Sequence, residues 1–271
     1  MTTSRAASGY STGLELILNA CESVLQIAVT ENEKPLCFEE WFAPGRATEI
    51  LAPALEQICM RLAIRPGDFR RIGCFAGPGS FTGIRLVLAT AAALRRTGRA
   101  RLASLDYLQA LATSAVMRRA WLYPGKVFVV THARRDLVHF QEFVSFGPVI
   151  PAQPASDVEL LEPAAALGRI QEQRCLVCGS GLERHAQLFV LPPMKESGQG
   201  SQIQFMPDLV NPDLGALRLL ARHGDYFPAD VEPKYARGCD AVENLVEREG
   251  GASQTVKQLE AILKTSPESR I

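Results

Sequence analysis

Residues 77–85 read Gly-Pro-Gly-Ser-Phe-Thr-Gly-Ile-Arg, between an apolar run from Ile72 to Ala76 and an alanine-rich run from Leu86 to Leu94. Gly77, Gly79 and Gly83 each permit a positive φ or a close approach by other backbone, and Pro78 sets the chain direction between the first two. Ser80 and Thr82 stand where they can cap the helix that follows. Strand, glycine turn and capped helix together aim unpaired backbone N–H groups at one point, a favourable place for an anion such as phosphate. Gly77, Gly79, Ser80, Thr82 and Gly83 are therefore candidate phosphate-loop residues. A Walker A loop would need Lys and then Ser or Thr after the last glycine, where Ile84 and Arg85 stand. The dinucleotide fingerprint G-x-G-x-x-G also fails, because Thr82 holds the third glycine's place. A structural turn that packs a helix closely on a strand uses the same glycines, so both readings stand at this point.

Outward from the turn, alternating apolar runs and amphipathic stretches describe an α/β chain. Leu14 to Asn19, Val24 to Thr30 and Leu36 to Phe42 read as three successive strands, an antiparallel start to a sheet. Thr48 to Leu62 has a helical apolar face, with Pro53 expected to delay its regular part. Ile72 to Ala76 is a strand, about Phe81 to Arg96 a helix, Ala100 to Ala103 a strand, and Ser104 to Met117 a helix capped by Ser104. Lys126 to Thr131 and Leu137 to Val144 read as paired strands. Pro148 to Pro154 is expected to be a linker, Val158 to Gln173 a helix broken at Pro163, Arg174 to Cys178 a strand, and Asn211 to His223 a short helix.

The 271 residues are 47% hydrophobic, enough for a sizeable core, and 29 basic residues cancel 29 acidic ones, so global charge does not call for nucleic acid. Between Ile84 and Arg135, however, ten basic residues face Asp106 alone. That is either a basic face or a surface balanced by acids elsewhere. Seven scattered cysteines with no signal-peptide pattern ahead of them point to a reducing cytoplasm. Cys175 and Cys178 form a lone C-x-x-C without the second pair of a zinc ribbon, and read as buried strand cysteines. His132 and His139, seven apart in extended chain, would face opposite sides and make a poor metal pair. No apolar run approaches the roughly 20 residues that span a bilayer, so no membrane role is expected.

The string GPGSFTGIRLVLATAAAL from Gly77 to Leu94 resembles the signature GPGSFTGxRxGLAxAKGLA of the TsaB (YeaZ) family. A second point of resemblance lies far away, where Pro233 to Arg237 reads PKYAR against the family's PxYLR. ARLASLDYLQALA at Ala100 to Ala112 is similar to PVxxVSSLEALA. The likeness is strong from Leu14 to about Ala112 and patchy to Arg237. It implies an actin-like ATPase (ribonuclease-H-like) fold with two lobes and a mixed sheet flanked by helices. The expected divisions are a disordered tail over 1–13, an N-terminal lobe over 14–112 with the glycine turn and partner-binding helices, a smaller second lobe over 113–243, and a polar tail over 244–271.

The resemblance further implies a non-catalytic subunit that pairs with a TsaD-type homologue to make N6-threonylcarbamoyladenosine on tRNA. A TsaE-type ATPase would join the same assembly, with tRNA met indirectly. The two amphipathic helices would form a four-helix interface with the partner through Leu55, Ile58, Arg85, Leu88, Ala89, Ala92 and Arg96. In isolation that surface would make homodimers. Departures from the family pattern remove charge or ring nitrogens. Asn19 stands for the Asp of an LDTS-like strand end, Ala47 for a His in HSExLLPxI, and Ser180 for an Asp in a GDGA-like turn. Residues 132–139 lack both acids of DARxxEVY. Hard cations favour carboxylates, so Asn19 argues against metal-assisted phosphate chemistry. No catalytic residue, no metal and no tightly bound cofactor are expected, with at most weak ATP or ADP. The alternative is an ATP-using enzyme of the same fold, a small-molecule kinase or ATPase, which needs a carboxylate near the turn. A metalloprotease lacks its H-E-x-x-H.

Overall fold

The computed structural model describes residues 13–122, 124–134, 136–170, 174–189 and 203–234. The chain opens with β1 (Leu14–Asn19), β2 (Val24–Glu31) and β3 (Lys34–Phe42), whose β2–β3 turn places Asn32 and Glu33 at φ 51° and 66°. Two successive positive φ values match the twist of a hairpin. Helix α1 spans Ala47–Leu62. It starts at Ala47 and carries Pro53 inside, against the expected delay, because Leu51, Ala54, Leu55, Ile58 and Cys59 are all buried along it. Burial of that face outweighs one missing backbone donor.

A short 3-10 turn, Pro66–Asp68, leads into β4 (Phe69–Phe75), then α2 (Phe81–Thr97), β5 (Arg101–Leu105) and α3 (Tyr107–Arg118). Ser80 caps α2 by accepting the Gly83 N–H at 3.2 Å, while Thr82 lies within the helix and is exposed. The cap of α3 is Asp106, which accepts the Gln109 N–H at 3.0 Å; Ser104 belongs to β5. Then follow β6 (Gly125–His132), β7 (Val138–Ser145), β8 (Gln153–Pro154), β9 (Glu159–Leu161), α4 (Pro163–Arg169), β10 (Cys175–Cys178), α5 (Ser180–Arg184), β11 (Ile203–Met206) and α6 (Leu214–Arg222). The expected helix from Val158 thus divides. Glu159–Leu161 pairs with β7, and Pro163 opens α4 at a position where its missing N–H costs nothing. Gln171 to Gln173 lie outside the described residues.

Strand order is β3-β2-β1-β4-β5 in the first sheet and β11-β10-β6-β7-β8 in the second, with β9 also on β7. In each, three strands meander antiparallel and two more add in parallel beside the first of them. This is one ribonuclease-H-like winding used twice, the actin-like ATPase fold. The buried α3 joins the first sheet's core to the inner face of the second, at Val127, Val129, Phe143, Leu176 and Cys178. A second cluster covers the outer face with Phe128, Val130, Cys175 and Val177 under Ala166, Ile170 and Leu182. Cys175 and Cys178 therefore face opposite cores. Burial pushes their thiols up to about 11 and about 12. Beyond α6 the chain returns to the first sheet, where Leu102 and Phe227 exchange two backbone hydrogen bonds of 2.8 Å. No described helix is long and apolar enough to cross a membrane.

Candidate functional site

The glycine turn lies pressed on the turn between β1 and β2. A Cβ on Gly79 would overlap the carbonyl of Cys21, and one on Gly83 the carbonyl of Ala20. Ser80 N–H donates to the Cys21 carbonyl at 2.6 Å. Gly77, at φ 120°, has no room for a side chain because a Cβ would stand 2.5 Å from the Lys234 carbonyl. The five candidate phosphate residues are thus brought together. Carbonyl oxygens crowd Gly79 and Gly83, and the N–H groups of Ser80 and Gly83 have acceptors within the chain. This is the close backbone approach for which only glycine serves.

The contact between Gly77 and Lys234 also joins the two distant stretches that carry the family resemblance. Lys234 N–H donates to the Ala76 carbonyl at 2.8 Å. Tyr235 to Arg237, the rest of the PKYAR stretch, lie outside the described residues.

Asn19 is buried and bonded through both ends of its amide. Its Oδ1 accepts the Cys21 N–H at 3.0 Å, and its Nδ2 donates to Gln26 Oε1 at 2.7 Å. Gln26 Nε2 in turn donates to Glu40 at 2.6 Å and to the Pro212 carbonyl at 2.8 Å. The chain of donors has one direction, which an Asp at this position would break.

Two carboxyl groups that the sequence reading did not assign to the site stand beside the turn. Tyr107 N–H donates to the Gly77 carbonyl at 3.1 Å, which sets the first turn of α3, with Asp106 as its cap, against the glycines. Burial raises the Asp106 carboxyl, although Lys234 Nζ at 3.8 Å pulls the other way. Glu22, in the β1–β2 turn, accepts from Ser180 Oγ at 2.8 Å across the seam between the sheets, and Ser180 Oγ itself accepts the His132 N–H at 2.9 Å. Burial pushes the Glu22 carboxyl up to about 7. Burial, then the charges of Asp106 and Glu22, raise the Cys21 thiol well above its ordinary value. The seam thus favours neutral acids. Asp106 was legible as D-x-x-Q before an apolar run; Glu22 gave no signal, because its partner is 158 residues away.

Leu55, Ile58 and Leu88, expected to meet a partner, lie in the monomer's own core. Their apolar periodicity records packing within the chain. Ala92 is half-buried, while Arg85, Ala89 and Arg96 are exposed. Arg85 lies over the Phe81 ring at 3.8 Å, and Arg95 and Arg96 hold Asp230 at 2.9 and 2.8 Å. The outward stripe of α2 is therefore Phe81, Arg85, Ala89, Ala93 and Arg96; on α1, which packs against α2, Ala52, Glu56 and Met60 are exposed. Other members of the basic stretch also meet acids: Arg118 bonds Asp208 and Asp213, and Lys126 bonds Glu142. His132 and His139 fall on paired strands, with His139 opposite Thr131 and His132 opposite Val138, so their rings lie on opposite faces. Among the described residues no three His, Cys, Asp or Glu are grouped to hold a metal.

A duplicated ribonuclease-H-like unit with a glycine turn at the seam defines an actin-like ATPase fold. The family model TsaD, described as tRNA N6-adenosine threonylcarbamoyltransferase, matches residues 43–211, and the chain belongs to that family. It is similar to "YeaZ from Pseudomonas aeruginosa", with 16% identity over 82% of this chain and 99% of that one, at a TM-score of 0.66. It is also similar to "an uncharacterized protein with similarity to peptidase YEAZ from Pseudomonas aeruginosa", with 18% identity over 83% and 100%, at a TM-score of 0.63. These structures share the fold of this chain, in agreement with the TsaB-like reading. Comparison with curated protein sequences finds no match.

Proposed function

We propose that this protein is a non-catalytic accessory subunit in the synthesis of N6-threonylcarbamoyladenosine on tRNA, acting in the cytoplasm. It pairs with a TsaD-type subunit through the exposed stripe of α2 and its neighbours on α1. A TsaE-type ATPase belongs to the same assembly, and tRNA is met through the partner. In isolation the same stripe supports self-association. The observation that carries this reading is the glycine turn, whose helix start lies against the Ala20 and Cys21 carbonyls, acceptors that would repel a phosphate where an anion site needs donors. ATP or ADP is held at most weakly.

The test is to mix the chain with the same organism's TsaD and measure mass by size exclusion with light scattering. A heterodimer is expected. Ala89→Glu should abolish it while leaving the monomer's unfolding unchanged, because a charge would enter an apolar helix contact. Pairing that survives the substitution would refute this face. A second reading, an ATP-using enzyme, draws on Glu22 and Asp106 beside the turn. Titration calorimetry with ATP and Mg²⁺ separates the two, since tight binding with turnover would replace the accessory reading.

A further inference from the structure

We propose that the imidazoles of His132 and His185 frame a site for a small anion of the phosphate class, at the outer face of the second sheet. His132 ends β6, fixed beside α5 by the hydrogen bond from its N–H to Ser180 Oγ. His185 closes α5, where its own N–H donates to the Gly181 carbonyl. The ring centroids are 6.4 Å apart at 44°. His185 is only 8% exposed, yet its Nε2 has no hydrogen-bond partner, and neither has the buried Nδ1 of His132. These two nitrogens, on neighbouring rings, each lose their hydration and gain nothing for it, so a polar species held between the imidazoles would satisfy both.

The surrounding charge selects the species. Arg184 precedes His185, and its guanidinium acts on His132. Arg134 sits in the β6–β7 turn with a partner of its own, and Asp136 is the acid that acts on His132 from that turn. Burial first, then Arg184 and His185, hold the His132 imidazolium below its ordinary range. A cation between the rings would meet the Arg184 charge, whereas an anion would relieve both repulsions and accept from both rings. His132 is only half-buried, so the pair lies near the surface of the fold.

The site is independent of the accessory reading, and the experiment uses the full chain, isotope-labelled at histidine. Inorganic phosphate is titrated in at constant ionic strength while the ring signals are followed by NMR. The His132 and His185 signals should move together to saturation. The His132 pKa should rise by about one unit, so that phosphate binds more tightly as pH falls. Arg184→Gln, on the exposed side of α5, should weaken the response several-fold, and His185→Gln should remove it with the protein still folded by thermal unfolding. Ring signals that ignore phosphate overturn the proposal in favour of a buried water. A saturating response to Zn²⁺ with none to phosphate overturns it in favour of a metal.

Discussion

The first and second sheets repeat one strand winding, but what hangs on it differs. The crossover helices of the first unit, α1 and α2, have 16 and 17 residues; those of the second, α4 and α5, have 7 and 5. Long helices bury one face and leave another available, whereas the short ones do little more than close a core with Ala166 and Leu182. Yet the same joint recurs in both. After β4, Gly79 and Gly83 lie on the carbonyls of Cys21 and Ala20, at the end of β1; after β10, Gly179 and Gly181 lie on the carbonyl of Val130, near the end of β6. A helix start pressed against the first strand's end requires glycine in both units, so the joint itself accounts for those glycines.

Substitution at the joint should have the largest effect and would break the comparison most directly. Gly83→Ala forces a Cβ into the Ala20 carbonyl and is expected to cost about 3 kcal/mol or more, while Gly181→Ala, with its Cβ 2.8 Å from the Val130 oxygen, costs about 1–2 kcal/mol. Urea unfolding measures both. Equal losses would mean that the two joints carry equal strain.

The seam between the units comes next. Glu22 rises from an ordinary 4.5 to about 7 on folding. Below the unfolded value both states hold the proton and nothing is lost. As pH climbs to about 7 the unfolded chain ionises first, and the penalty grows until the folded carboxyl also ionises. Glu22→Gln should therefore add about 2 kcal/mol above pH 7 and nothing near pH 4. Half-buried Asp106, whose carboxyl desolvation also raises, adds a slope of the same sign in both proteins. Parallel profiles of wild type and variant would show that Glu22 is not held across the seam.

The two first strands also end differently, β1 through the side chain of Asn19 and β6 through the His132 backbone on Ser180. Asn19→Asp would set two acceptors face to face at Gln26, with an expected loss of about 1–2 kcal/mol at neutral pH in chemical unfolding. Unchanged stability, or a new Mg²⁺ dependence, would contradict the structural role of Asn19. Smallest for the monomer is Ala89→Glu, within about 0.5 kcal/mol of wild type, although it should abolish the proposed pairing.

Much of the fold was legible in the sequence because its signals are local. Strand patterns, the helical faces of α1 and α2, the Ser80 cap and the glycine joint each depend on residues within a few positions of one another. Pro53 misled because its propensity is local, while the burial that overrides it comes from the sheet. Leu55, Ile58 and Leu88 were correctly seen as apolar faces, but periodicity cannot say whether such a face meets its own sheet or another chain.

What the order of residues determined alone was the succession of elements and the joint at Gly77 to Gly83, since steric limits on φ and the capping of N–H groups act over three or four residues. Only the tertiary structure decided that Lys234 closes over Gly77, that Glu22 reaches Ser180, and that α2 turns Arg85 and Ala89 outward. Those contacts join residues far apart in the chain, and their energies depend on burial that exists only once both sheets have formed.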